Sequence, residues 1–429
     1  MSANKFRGKR GYSLVLLMLG LLLVLNYMKS TRPNNTATGQ HQHAVISTDL
    51  RRRSMETSVI AHAPGFTLFE NAYWRNYTWY FVTARPWAFP DLPMVMTNVP
   101  DYGQTTTAVF HNGLAKVILP TEAEDLDLDL EEVETVQGTT FFFNDKIYLK
   151  HYYHLVGEMF LGSWRVYTSV LVNPFNKRPQ KTLQANTKST LDQLPPIERF
   201  IFGYAPPQEM YDRAGMNEYF FDRVFPQVPL EFEESWQARA DSLKLFRFDL
   251  VVIADRWSGH MKRTSKPMDY AFRLPAPSNW VSDLKDRMLA NYQGPVSLKD
   301  PSHINSKPVI TYLSRQEAHH RTMNPATHED LIVGLKALEE EGLAEVNIES
   351  FTGKDPKDEQ AAKLSRTTIF VSLHGNGLTN LIWMTPDAYG RSAVYEIQQP
   401  GMYTDDYAII SEALGIDHWI IGGRDLERE

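Results

Sequence analysis

The sequence contains no cysteine. Without thiols, the chain cannot form disulfides, use a thiolate nucleophile, or hold an iron–sulfur cluster or a zinc ion through thiolates. It also lacks an excess of basic residues, since 44 Lys and Arg stand against 51 Asp and Glu in 429 residues. A general nucleic-acid binder needs a basic face, so this class is excluded. With 43% apolar and 12% aromatic residues, the chain has enough core material for about two domains and is not mainly disordered.

Acidic residues are absent from the first 30 positions, where a basic segment over residues 1–10 precedes an apolar run over 11–28. A helix of about 18 residues is roughly 27 Å long, which just spans a thin bilayer. We therefore predict a cytosolic tail over 1–10, a signal anchor over 11–28 and a luminal remainder in the Golgi or ER. A cleaved signal peptide is the alternative, although the run is not followed by a small-x-small cleavage pattern.

The rest of the chain divides by composition. Residues 29–62 are polar and poor in aromatics, which predicts a flexible stem. Dense aromatic sequence follows, and we predict two domains over 63–295 and 305–429, joined by a link rich in Gly, Pro and Ser.

The second domain has the more regular pattern. Predicted strands over 309–314, 346–351, 368–373 and 394–398 alternate with predicted helices over 325–341, 355–366, 378–384 and 403–414. Alternation of this kind predicts an α/β fold with right-handed crossovers and a parallel sheet. Ligands of such sheets bind beyond the carboxyl ends of the strands.

The strongest motif is His374-Gly375-Asn376-Gly377-Leu-Thr379-Asn380, which joins an apolar strand to a short helix. Its glycines allow the backbone to approach a ligand, and the N–H groups at the start of the helix favour an anion such as a phosphate. The alternative is an ordinary tight turn. The motif is neither a Walker loop nor a dinucleotide fingerprint.

Other strands of this domain carry cations or a carboxylate at or near their carboxyl ends. Ser314 and Arg315 end the first strand, and a basic turn containing Arg321 comes next. Arginine binds phosphate oxygens in a bidentate manner, although a solvated basic loop is the alternative. Glu396, in a later strand, could accept hydrogen bonds from ribose hydroxyls or could be structural.

The first domain offers a candidate base. In a helix predicted near 151–171, His154 and Glu158 lie one turn apart on the same face. A carboxylate can orient an imidazole that acts as a general base, whereas the alternative is a helix with hydrogen-bonded histidines. We predict no metal site here, and the acidic run Asp125-Leu-Asp127-Leu-Asp129 is interpreted as a solvated edge strand or loop.

Together these motifs resemble glycosyltransferase family 61 over about residues 140–420. The likeness rests on Tyr312-Leu-Ser-Arg-Gln316, the His374–Asn380 turn and Val394-Tyr-Glu396-Ile, with Pro386, Tyr407 and Leu414 extending it. The chain differs from the family at Asn376, where a small residue such as alanine is usual, and at Pro325, where an acid is usual.

The resemblance implies a GT-B fold, in which two Rossmann-like domains face a cleft and the second binds the nucleotide sugar. It implies inverting transfer from a UDP-sugar, with xylose or N-acetylglucosamine expected, to a glycan or glycoprotein acceptor, with no metal or other cofactor. Arg315, Arg321 and the glycine turn would neutralise the diphosphate. His154 would be the base, with Glu158 orienting it or acting in its place. Two alternatives remain open: a luminal glycan-binding or scaffold protein, and a metal-dependent transferase using the Asp125–Asp129 run.

Overall fold

The structure is a computed structural model that describes residues 55–98, 113–172, 189–260, 266–290, 307–318, 321–351, 355–385, 390–399 and 401–422. The predicted tail, the predicted signal anchor and most of the predicted stem lie outside these residues. Among the described residues, no helix combines the length and the hydropathy needed to cross a bilayer. The predicted stem extends a few residues too far, because residues 58–62 belong to the first strand.

An eight-stranded mixed sheet forms the first half. Its strands are β1 Ser58–Ala63, β2 Phe66–Arg75, β3 Thr78–Val82, β4 Ala115–Ile118, β5 Glu134–Phe143, β6 Ile197–Phe202, β7 Leu230–Glu231 and β8 Phe246–Ala254. The order is β4-β3-β2-β8-β5-β6-β7, and β1 pairs with β2. Strands β8, β5, β6 and β7 are parallel, whereas β2 is antiparallel to β1, β3 and β8. The antiparallel pairing of β2 differs from the mostly parallel sheet expected of a Rossmann-like domain.

Helices cover this sheet because its central strands are apolar on both faces. Phe141 and Phe142 point to opposite faces, and each side chain is fully buried in a different core cluster. The predicted helix near 151–171 is a π-helical segment, Tyr153–Phe160, that continues into α3. The helices are α1 Leu92–Val95, α2 Pro120–Asp125, α3 Leu161–Ser169, α4 Met216–Val224, α5 Glu233–Asp241, α6 Arg256–His260, α7 Asp269–Phe272 and α8 Ser282–Leu289; single 3₁₀ turns lie at Pro86–Ala88, Leu191–Gln193 and Pro207–Glu209.

A five-stranded parallel sheet forms the second half, as the sequence predicts. Its strands are β9 Val309–Leu313, β10 Glu345–Glu349, β11 Ile369–Leu373, β12 Ala393–Gln398 and β13 Asp417–Gly422, in the order β10-β9-β11-β12-β13. The helices are α9 Pro325–Glu340, α10 Lys357–Arg366, a 3₁₀ helix Asn376–Trp383 and α11 Asp406–Leu414. Helix α9 begins as predicted, since the Asn324 side chain accepts a hydrogen bond from the Ala326 N–H and Pro325 occupies the first turn.

The two halves share one hydrophobic core. The largest cluster runs from Phe160 and Phe220 in the first half to Leu381 and Trp383 in the second. The rings of Phe220 and Trp383 are 6.0 Å apart. The candidate site therefore lies between two halves that are packed together through this shared apolar cluster.

Candidate active site

Two strand ends meet at the point where the order of the second sheet reverses. From β9 the chain passes to β10 on one side and then to β11 on the other, so a crevice opens between the carboxyl ends of β9 and β11. Ser314 and Arg315 follow β9, and His374 and Gly375 follow β11. These are the motifs that the sequence marked as anion-binding, and the topology places them side by side.

The guanidinium of Arg315 lies directly against Gly375. A Cβ at position 375 would clash with Nη1 of Arg315 and would lie 2.8 Å from its Cζ. The φ angle of Gly375 is 156°, a value that residues with a side chain rarely adopt. Gly377 also lies close to its neighbour, because a Cβ there would be 2.6 Å from Cδ2 of Leu313 at the end of β9 and one of the two would have to shift. The two glycines thus allow the turn to lie close to β9 and to Arg315, which follows that strand.

A cavity of about 610 Å³ opens beside this contact. Lys150, His151 and Asp212 line it from the first half, and Phe351 and Gln360 line it from the second. Six of the residues predicted to bind the donor also line it, namely Ser314, Arg315, Arg321, Asn376, Gly377 and Asn380.

Three guanidinium groups line this cavity, those of Arg213, Arg315 and Arg321, and with Lys150 they outnumber the two carboxylates of the lining. The pKa of Arg315 is lowered, first by burial and then by the positive charge of Arg321. Arg321 has a left-handed backbone, with φ of 58°, and such strain is concentrated at functional sites. Close to Arg321, the Gln316 side chain holds the Met323 backbone, donating to its carbonyl at 2.9 Å and accepting from its N–H at 2.8 Å. Two like charges held close together favour an anion between them.

The first sheet has a reversal point of its own, between β5 and β8. Asn144 and Asp145 follow β5, and Asp255 and Arg256 follow β8. The side chains meet across the crevice, since Asn144 Nδ2 donates to Asp255 Oδ2 at 2.6 Å and Arg256 Nη1 lies 3.8 Å from Asp145 Oδ2. Burial raises the pKa of Asp255 to about 7 and that of Asp145 to about 6.

Above this crevice, the predicted base pairs with the predicted orienting carboxylate. Nδ1 of His154 lies 2.6 Å from Glu158 Oε2, and Arg256 Nε donates to the same oxygen at 2.6 Å. Burial alone would raise the pKa of Glu158, but the Arg256 charge and the His154 hydrogen bond lower it to about 2. Arg256 Nη2, which can only donate, lies 3.1 Å from the same Nδ1. The shorter contact with the ionised carboxylate favours a proton on Nδ1, and this tautomer leaves the Nε2 lone pair as the basic site. The π-helical backbone that carries them is a rare form that occurs frequently at functional sites.

His151 connects this pair with the cavity. It lines the cavity, and its ring centroid is 4.7 Å from that of His154. Burial, followed by the charge of His154, lowers the pKa of His151 to about 4. The His151 imidazole is therefore neutral at pH 7. The candidate base, His154, does not line the cavity itself but contacts the His151 ring, which does.

Glu396 and His374 form a second imidazole–carboxylate pair. The fully buried Glu396 accepts from His374 Nδ1 at 2.5 Å and from His418 Nε2 at 2.9 Å. Burial would raise the pKa of Glu396, but its bonds to the two histidines lower it. Each oxygen accepts one histidine bond, and the carboxylate is fully buried, so the predicted ribose contact would require the residues that cover Glu396 to move. In this geometry Glu396 orients His374, whose Nε2 lies 3.6 Å from Asp406 Oδ2.

The other predicted residues lie outside the cavity wall. Thr379 is buried behind the glycine turn, 3.5 Å from Asn376 Oδ1. Asp125 ends α2, and Asp127 and Asp129 lie in the loop after it, where the Asp129 carboxylate accepts backbone N–H groups. None of these three carboxylates lines the cavity, and the described residues contain no cluster of His, Asp and Glu suited to a metal ion.

Sequence reasoning missed several residues of the site, among them Arg256, Gln316 and His418. Arg256 directly follows a buried strand, a signal that the carboxyl-end rule could have detected, as it detected Arg315. Gln316 lies within the quoted Tyr312–Gln316 motif, but its hydrogen bonds depend on the backbone of Met323. His418 gave no signal, because its partner Glu396 lies on the neighbouring strand of the sheet.

No protein-family model and no curated protein matches the chain. The resemblance to glycosyltransferase family 61 therefore stays a prediction.

Proposed function

We propose that the protein is an inverting glycosyltransferase that takes its sugar from a nucleoside-diphosphate donor. The observation that carries the proposal is the contact between Arg315 and Gly375 at a sheet reversal point, beside a cavity that also holds Arg321. Its volume, about 610 Å³, is in the range of sites for small molecules and cofactors. Guanidinium groups and a glycine turn suit the oxygens of a diphosphate.

The proposed reaction uses both halves of the site. An acceptor hydroxyl attacks C1 of the sugar, and the bond between C1 and the diphosphate oxygen breaks with its electron pair going to the diphosphate. Nε2 of His154 takes the hydroxyl proton, while Glu158 stabilises the imidazolium through Nδ1. Arg315 and Arg321 neutralise the charge that develops on the leaving diphosphate. In this scheme the guanidinium groups supply the charge neutralisation.

The finer parts of the proposal rest on the sequence. A UDP-sugar donor, a GT-B arrangement and a glycan or glycoprotein acceptor follow from the family resemblance. The basic and apolar segments of residues 1–28 support a type II membrane protein of the Golgi or ER with the site in the lumen.

Nucleotide binding tests the proposal. UDP and UDP-sugars should raise the melting temperature of the protein, because a ligand that binds only the folded state stabilises it. Binding should persist in EDTA and should be lost in Arg315→Met. Arg273→Met is the matched control, since Arg273 is exposed and pairs with Asp269 within α7. If the intact protein bound no nucleotide, a scaffold protein would be favoured, and if EDTA abolished binding, a metal-dependent transferase would be favoured.

A further inference from the structure

A hydrogen bond joins the glycine turn to the helix that carries the candidate base. The backbone N–H of Tyr153 donates to Oδ1 of Asn376 at 2.9 Å. Tyr153 is the first residue of the π-helical segment, immediately before His154. The first N–H groups of a helix lack partners within it, so the Asn376 side chain caps this helix from the opposite half of the molecule.

The same bond fixes the orientation of the Asn376 amide. A backbone N–H can only donate, so Oδ1 must face Tyr153 and Nδ2 must lie on the other side of the amide. The Thr379 hydroxyl is 3.5 Å from the same oxygen. Among the described residues, Nδ2 has no protein acceptor, and Asn376 lines the cavity beside Arg315. The amide therefore offers its donor group to a ligand.

Further contacts hold the start of the helix to the second half. The Tyr153 hydroxyl donates to the Asp406 carbonyl at 3.2 Å, and Trp383 Nε1 donates to the Tyr152 hydroxyl at 3.0 Å. Gly157 is close to α11, since a Cβ there would lie 3.1 Å from Ile410 Cδ1. The position of His154 is consequently set by the half that contains the glycine turn as well as by its own.

We propose that Asn376 is a positioning residue that couples the anion cavity to the His154–Glu158 pair. Its Oδ1 holds the start of the helix, and its Nδ2 donates to an oxygen of the bound anion. An anion that fixes the amide thereby fixes the helix that presents His154. The ligand half of this inference rests on the proposed function, whereas the helix half does not.

Two substitutions separate the two tasks. Asn376→Asp keeps an oxygen for the Tyr153 N–H but turns a negative charge toward the anion. Asn376→Ala removes both groups. Asn347→Asp, on β10 and outside the cavity lining, controls for the added charge. Hydrogen exchange of residues 153–160 measures the helix, titration calorimetry with inorganic pyrophosphate and with UDP measures the anion contact, and melting temperatures report whether each variant is folded.

We expect Asn376→Ala to speed exchange of residues 153–160 in the ligand-free protein, while Asn376→Asp exchanges like the wild type. Pyrophosphate affinity should fall at least about tenfold in Asn376→Asp, since loss of a hydrogen bond and added repulsion together exceed about 1.4 kcal/mol. It should fall about three- to tenfold in Asn376→Ala, and Asn347→Asp should match the wild type.

Wild-type exchange in Asn376→Ala would overturn the helix half, and wild-type pyrophosphate affinity in Asn376→Asp would overturn the ligand half. A wild-type protein that bound neither pyrophosphate nor UDP would overturn the proposed function and the ligand half with it. The exchange data would still decide the helix half.

Discussion

Replacing Gly375 with alanine perturbs the anion site at a single methyl group. The new Cβ would clash with the Arg315 guanidinium, lying 2.8 Å from Cζ, and would sit on a backbone with φ of 156°. Either the guanidinium moves away or the turn changes its conformation. Both responses separate Arg315 from the glycine turn.

The two responses have different magnitudes and different readouts. A side chain in this backbone region costs on the order of 1–3 kcal/mol of stability, which a lower melting temperature would report. A displaced guanidinium loses charge-assisted hydrogen bonds to the anion, worth roughly 1.5–3 kcal/mol. At about 1.4 kcal/mol per factor of ten, UDP affinity should fall about 10- to 100-fold.

The assay is titration calorimetry with UDP at fixed ionic strength, together with thermal unfolding. Gly334→Ala is the matched control, because Gly334 lies within α9 and a Cβ there meets no atom within 4 Å. That control should keep full affinity and gain slightly in stability, since alanine favours a helix. A folded Gly375→Ala protein with wild-type UDP affinity would refute the role of Arg315 as an anion ligand.

Three further predictions concern buried titratable groups. Glu158→Gln removes the closer of the two carboxylates that pair with the buried Arg256 among the described residues, and leaves the more distant Asp145. The free energy of unfolding, measured with denaturant, should therefore fall by about 3–5 kcal/mol. A loss below about 1 kcal/mol would contradict the ion pair. Burial raises the pKa of Asp255 to about 7, so the native state holds a proton that the unfolded state releases, and wild-type stability should decrease as pH rises from about 4 to 7. Unfolding curves of Asp255→Asn should show a weaker decrease, and an unchanged slope would assign it to other groups. Burial lowers the pKa of His151 to about 4, and an anion in the cavity should raise that pKa. UDP binding should therefore tighten and take up protons as pH falls from 7 to 5. Calorimetry in buffers of different ionisation enthalpy measures this uptake, and pH-independent binding would place the anion away from His151.

The second half of the fold was predictable because its signals are local. The central strands β9 and β11 are short apolar runs, and Asn324 with Pro325 marks the start of α9 in the sequence itself. The alternation of strands and helices then fixes the parallel connections. The carboxyl-end rule predicts that Arg315 and the His374–Asn380 turn lie at the same edge of the sheet, and the order of the strands makes them neighbours.

The first half was less predictable because its pairings join distant segments. Strand β2, near the start of the first half, pairs with β8, near its end in the sequence. No local pattern predicts that pairing or its antiparallel direction. The mixed sheet, the Arg256 contact with Glu158 and the engagement of Glu396 by His418 all depend on which strands become neighbours. Residue type alone suggested a ribose ligand at position 396, whereas the sheet supplies two histidines to that carboxylate.

A crystal structure with UDP would test the central claim most directly. We predict the diphosphate between the guanidinium of Arg315 and the backbone of residues 375–377, with Arg321 on its other side and the nucleoside in the cavity. A diphosphate bound elsewhere, with Arg315 and Gly375 still in contact and not touching it, would contradict the account.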